Sequence, residues 1–198
     1  MTNELWLGLV LFTGVASITP GPNNLMLMAS GANFGFRRTV PHILGIEVGF
    51  TLMVVLVGAG ISELFERFPT SFTVLRVASG AYLAYLAFKL ATSRSFSSDR
   101  KSDPKPLTFM QAALFQWVNP KAWAMGLTAV SVYAPTPGMA AIILIAGTFL
   151  LVGIPSTLTW TMLGLQMRKV LTNEIYLARF NVVMALLLVA SLLPLLVS

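Results

Sequence analysis

Apolar residues fall along this chain in long sustained runs separated by short polar stretches. A hydrocarbon core of about 30 Å needs roughly 20 apolar residues of helix. Scanned at that length, the chain offers six candidate spans, at 5–31, 40–61, 70–91, 108–134, 138–165 and 176–197. Membrane strands would instead show segments of about ten residues with alternating polarity, so the pattern predicts helices. One separator is long. Residues 93–106 are polar and rich in Ser and Pro and read as a mobile linker. The first run does not resemble a cleaved secretory signal, because Glu4 is the only charge before Arg37 and Pro-Gly-Pro interrupts its middle.

Composition agrees with the pattern and narrows it. Hydrophobic residues make up 56% and charged residues 10% of 198 positions, with a mean hydropathy of +0.80. Seven acids and thirteen bases cannot cover the surface of a soluble globule of this size. A soluble enzyme or a nucleic-acid-binding domain is therefore excluded despite the net charge of +6. The bases instead report topology. Arg37, Arg38, Lys89, Arg94, Arg100, Lys101, Lys105, Arg168 and Lys169 follow spans one, three and five, whereas the other side has Arg67 and Arg76. The positive-inside rule then predicts a cytoplasmic linker in contact with anionic lipid and both termini outside. Arg37-Arg38 reads as an anchor of that kind or as the guard of a cytoplasmic entrance. Trp6 and Tyr176 suit the interfacial aromatic belt.

The two halves resemble each other. Pro20 in the middle of span one matches Pro120 in the middle of span four, 100 positions on. Gly45 matches Gly147 at an offset of 102, and Arg76 matches Arg179 at 103. A repeat of three spans must sit in opposite orientations in its two copies, as in many secondary transporters. The expected fold is a single all-α integral membrane domain. It has six transmembrane helices in two inverted three-helix repeats, with repeat one at 1–91, the linker at 92–107 and repeat two at 108–198.

Candidate chemistry lies at mid-membrane. Proline removes an N–H and clashes with the carbonyl four residues back. Pro20, Pro22 and Pro120 should therefore free the carbonyls of Ala16, Ile18 and Gln116. Pro20-Gly21-Pro22 reads as a true break, with Pro22 placed to begin a second half-helix. Asn23 and Asn24 follow it, and a helix N-terminus there suits a carboxylate. The bland alternative is a kinked packing helix capped by its own asparagines. Glu47 and Lys121 (the latter directly after Asn119-Pro120) lie within spans, at depths within about 9 Å of each other. Charges at such depth are costly and mark function by default. They either pair with each other or serve a solute, Lys121 its carboxylate and Glu47 its ammonium or a coupling proton. His42 is expected at the interface. Gly45 and Gly49 have the spacing of close helix packing that aims Glu47 inward, whereas Gly31 and Gly35 read as a turn. Trp117, Trp123 and Trp160 are expected to pack, and Pro155 to kink span five.

Several of these motifs, in this order, resemble the LysE/RhtB family of amino-acid exporters. They are Thr19-Pro20-Gly21-Pro22-Asn23-Asn24, Gly35-Phe36-Arg37-Arg38, Gly45 with Gly49, Gly80-Ala81-Tyr82-Leu83-Ala84-Tyr85-Leu86 and Val118-Asn119-Pro120-Lys121. The resemblance covers essentially the whole chain. It implies a multi-pass protein of the bacterial inner membrane that exports amino acids or close derivatives, driven by the proton gradient and without a cofactor. The paired asparagines resemble the cysteine/O-acetylserine branch more than the lysine/arginine branch. Glu47 departs from the family pattern, which points to a role in tuning this member's substrate.

The predicted substrate-binding residues are thus Pro20, Gly21, Pro22, Asn23, Asn24, Glu47, Asn119, Pro120 and Lys121, with no metal site and no catalytic residue. One histidine and no cysteine leave no ligand cluster for a hydrolytic metal. A Ser131–Lys121 dyad would be stretched over about 15 Å of helix. The alternative to an exporter is a passive channel or a regulatory membrane subunit for small polar solutes. A homodimer is compatible with the exposed apolar surface of six helices, and nucleic acid is not an expected partner.

Overall fold

The computed structural model describes residues 2–61, 67–93, 105–134, 138–171 and 173–191. Linker residues 94–104, which include Arg94, Arg100 and Lys101, lie outside the described residues. So do 192–197 of the last expected span and the side chain of Arg76.

Every regular element among the described residues is a helix. Helix α1 (Asn3–Ile18) is capped by Thr2, whose hydroxyl accepts from the Leu5 N–H. It ends at Thr19, and α2 (Pro22–Phe34) restarts the chain after a bend of 51°. The predicted break is therefore real, with Pro22 at the first helical position, where its missing N–H costs nothing. Gly35, at φ 79°, turns the chain into α3 (Phe36–Leu56), which continues through a π-helical segment, Val57–Ile61. Helix α4 spans Pro69–Ala91. The segment expected as span four is divided like the first. Helix α5 (Phe109–Phe115) starts with a Thr108–Gln111 capping box, a 3-10 turn follows at Gln116–Val118, and Pro120 opens α6 (Pro120–Tyr133). Helix α7 (Met139–Val170) runs 32 residues through Pro155 without ending, and α8 (Glu174–Ala190) closes the described chain. Among the described residues three helical stretches are long and apolar enough to cross a membrane, and the bent α1–α2 pair, taken as one span, makes a fourth.

Packing joins the first half of the chain to the second. Helices α1 and α2 lie against α7, α3 against α5 and α7, and α4 against α8. Glycines set the closest approaches. A Cβ at Gly31 would strike the Thr161 carbonyl, and one at Gly164 the Met28 carbonyl, so α2 and α7 meet backbone to backbone. The expectation of a turn at Gly31 is corrected here: Gly31 is buried within α2, and only Gly35 turns. Gly45 and Gly49 pack α3 onto Phe109, Ala112 and Ala113 of α5, as the spacing predicts. Gly147 meets nothing within 4 Å of its would-be Cβ, so it matches Gly45 in position but not in role.

The described bases Arg37, Arg38, Lys89, Lys105, Arg168 and Lys169 flank one set of helix ends, called here the basic end. At the opposite end the Tyr133 hydroxyl donates to the Gly8 carbonyl at 3.2 Å, tying the end of α6 to the start of α1.

Candidate functional site

A helix that stops leaves its last four carbonyls without partners. In α1 all four are met by side chains. Ala16 accepts from the Thr19 hydroxyl at 2.9 Å, and Ser17 from Asn24 Nδ2 at 2.7 Å and Ser156 Oγ at 2.8 Å. Ile18 accepts from the Trp160 indole at 3.1 Å, and Thr19 from Asn24 Nδ2 at 2.9 Å and Lys121 Nζ at 2.7 Å. Lys121 Nζ also donates to Thr19 Oγ1 at 2.9 Å. Apart from the Thr19 hydroxyl, the donors come from α2, α6 and α7, so three helices converge on one break.

The second break is closed mostly by its own neighbours. The Asn119 N–H donates to the Gln116 carbonyl at 3.2 Å, and Asn119 Oδ1 accepts from the Lys121 N–H at 3.2 Å. The Gln116 carboxamide donates to the Ala112 carbonyl at 2.9 Å. The same carboxamide forms a reciprocal pair with Asn23, at 2.8 and 3.2 Å. Each half-helix thus reaches back to the other break, Asn23 of α2 to Gln116 and Lys121 of α6 to Thr19.

The N-termini of α2 and α6 meet at one depth and run to opposite ends of the molecule. Between them and α3 and α7 lies a cavity with about 60 Å³ open to the centres of water molecules. That is space for a few waters or a compact polar head group, since one water needs about 10–15 Å³ by this measure. Of the nine predicted site residues, Gly21, Asn23, Asn24, Glu47, Asn119 and Lys121 line it. Pro20 is exposed, while Pro22 and Pro120 act by starting the half-helices. A Cβ at Gly21 would lie 2.6 Å from Lys121 Cδ and would push the Lys121 side chain from its place. Its φ of −173° is ordinary extended backbone, so space and not conformation calls for glycine.

Lys121 and Glu47 do not pair. An ammonium has three donors, and Lys121 spends two on Thr19. Glu47 is buried, and its Oε1 accepts from the Thr157 hydroxyl at 2.9 Å. Its Oε2 lies 2.8 Å from where a Gly153 Cβ would stand and accepts no hydrogen bond among the described residues. Phe50 and Phe149, edge to face at 5.0 Å, also wall the cavity, and Phe12 and Tyr133 pack beyond them towards the opposite end. Trp117 and Trp123 pack edge to face at 6.0 Å, as expected of packing residues.

Sequence reasoning missed Gln116, Gly153, Ser156 and Thr157, and took Trp160 for packing. A signal for two of them was present: Ser156 and Thr157 follow Pro155 inside an apolar run. Gln116 was marked only as the carbonyl four residues before Pro120, and nothing local marks its carboxamide's role or Gly153, because these depend on Asn23 and Glu47 across the fold. His42, expected at the interface, is wholly enclosed and lies outside this site.

The sequence profile of the LysE type translocator family matches residues 14–195, and the chain belongs to that family. It is therefore a multi-pass membrane translocator and not an enzyme. It is 31% identical to a cysteine/O-acetylserine efflux protein of Escherichia coli (strain K12) over 192 residues, 96% of each chain. A protein of the same name in Shigella sonnei (strain Ss046) is 31% identical over the same share, and one in Escherichia coli O139:H28 is 30% identical. No solved structure matches.

Proposed function

We propose that this protein is a secondary exporter of a small zwitterionic amino acid, in the size range of cysteine or O-acetylserine. It would work in the bacterial inner membrane, driven by the proton gradient. The observation that carries the reading is the cavity wall between the two breaks, which offers one ammonium and one carboxylate that face the same space without pairing. A zwitterion complements both. The remaining Lys121 donor and the positive ends of α2 and α6 take the substrate carboxylate. Glu47 Oε2 takes the ammonium, since the carbonyls of α1 already have their donors. A carboxylate at this depth is costly when empty, so a proton replaces the ammonium there after release. Exchange of the two at one oxygen couples export to proton entrance.

Six spans in two inverted repeats fit this scheme. The broken pairs α1–α2 and α5–α6, the helices α3 and α7, and the helices α4 and α8 are counterparts. The packing of α1 and α2 on α7 is mirrored by that of α5 on α3, while α3–α7 and α4–α8 pair counterparts directly. Rocking one repeat against the other would expose the cavity to each side in turn, with the basic end cytoplasmic.

The test is efflux from cells loaded with cysteine, O-acetylserine, threonine, homoserine, lysine or arginine as dipeptides. The reading expects uphill extrusion of a small neutral amino acid that a protonophore abolishes. Lys121→Ala should abolish efflux with the protein still in the membrane, and Glu47→Gln should leave only downhill flow. Downhill flow alone from the wild type would make it a passive pore, and wild-type efflux from Lys121→Ala would sink the site.

A further inference from the structure

A second cavity lies at the basic end, between α2, α3, α4, α8 and the stretch leading into α5, with about 80 Å³ open to water centres. Its walls are mainly apolar, including Met26, Leu86 and Leu188. His42 lines it, 1% exposed, and neither ring nitrogen has a hydrogen-bond partner. A neutral imidazole carries one donor and one acceptor, and leaving both unmet in a protein interior is costly. Two other polar side chains on the wall are spent, Ser30 on Thr39 at 2.9 Å and Asn33 on Asn181 at 2.8 Å. Two exposed ammoniums complete the lining, Lys89 and Lys105, and neither forms an ion pair among the described residues.

We infer that this cavity is a second ligand site, which takes an oxyanion at Lys89 and Lys105 and a polar atom of the same ligand at His42. Cations at the edge, apolar walls and one unmet imidazole within suit a small amphiphile with a single anionic group. Two sources share that chemistry, the carboxylate of a substrate loading from the basic end and the phosphate of an anionic lipid. The carboxylate source rests on the export reading, whereas the site itself does not. Along α2 the lining residues Met26 and Asn33 lie about 5 and 15 Å beyond Asn23, which separates this site from the first.

His42 is the only histidine in the chain, so its ring gives one unambiguous NMR signal in full-length protein labelled at histidine. The purified protein is titrated with O-acetylserine, with short-chain phosphatidylglycerol, and with short-chain phosphatidylcholine as the neutral control. The proposal expects a saturable shift with O-acetylserine, through its carboxylate, or with phosphatidylglycerol, through its phosphate, and none with phosphatidylcholine, whose choline ammonium offsets its phosphate. Lys89→Gln with Lys105→Gln should weaken that binding about ten-fold or more, the scale of a lost charge-assisted hydrogen bond. The double variant keeps Arg37, Arg38, Arg168 and Lys169 at that end, so topology is retained. No shift with either O-acetylserine or phosphatidylglycerol, or a shift the double variant leaves unchanged, overturns the proposal. Lys121→Ala should keep the shift; losing it would place the signal's cause at the first site and overturn the second. Loss of efflux in Lys121→Ala reports on the export reading separately, so the two readings fail independently.

Discussion

The two breaks solve one problem in different ways. At the first, Pro20 and Pro22 strip the chain of two donors within three residues, and the α1 carbonyls find partners on α2, α6 and α7. At the second, a single proline is absorbed by a 3-10 turn and by Asn119, which caps α6 with its own side chain. Irregular backbone at membrane depth must be met from within the protein. The break with two prolines draws more of its partners from distant helices than the break with one. The local break can form with its own segment, but the tertiary one exists only when α6 and α7 are in place. A movement of α7 must consequently be felt at the first break, where Ser156 and Trp160 hold α1, and at Glu47 through Thr157 and Gly153.

The largest effect is expected at the backbone contact of α2 with α7, the helix that holds the first break. Gly164→Ala places a methyl group against the Met28 carbonyl and should destabilise the protein by about 1–3 kcal/mol, read as a lower unfolding temperature in detergent. An unchanged temperature would mean that α2 and α7 are free to separate. Ser156→Ala with Trp160→Phe removes two donors from α1 and should cost about 1–2 kcal/mol, since interhelical hydrogen bonds in membranes average about 0.6 and reach about 1.7. Asn119→Ala removes a local cap worth about 1 kcal/mol; combined with the Ser156 and Trp160 changes, its effect should add, because a locally closed break does not depend on α7. Strong non-additivity would unite the two breaks. The smallest effect is the coupling of Asn23 to Gln116, expected near 0.6 kcal/mol in a double-mutant cycle of the alanine variants. A coupling of zero would leave Lys121 as the sole link between the half-helices.

Much of the helical plan was legible because its signals are local. Runs of apolar residues report helices, proline reports where a helix must stop, and lysine and arginine mark helix ends. Pro22 and Pro120 opening half-helices, and Gly45 with Gly49 packing closely, follow from side-chain chemistry at one position or a fixed spacing. Six predicted residues also reached the cavity wall, because asparagine, lysine and glutamate within apolar helices have few other places to go. Gly31 was misread for the complementary reason. Whether a glycine turns the chain or receives a neighbour depends on what lies opposite it, and Thr161 is 130 positions away.

Scarcity of charge made Lys121 and Glu47 conspicuous in the sequence, but only the fold separated them. Their depths alone allowed an ion pair. Thr19 draws the ammonium to the first break, while Gly153 and Thr157 hold the carboxylate on α7, so both face the cavity unpaired. Hydropathy and proline act through the chain's own backbone, so the chain alone set which residues lie in apolar helices and beside their breaks. Which of them meet was decided by tertiary structure, because a hydrogen bond of 3 Å depends on helix faces and crossings that no single segment contains.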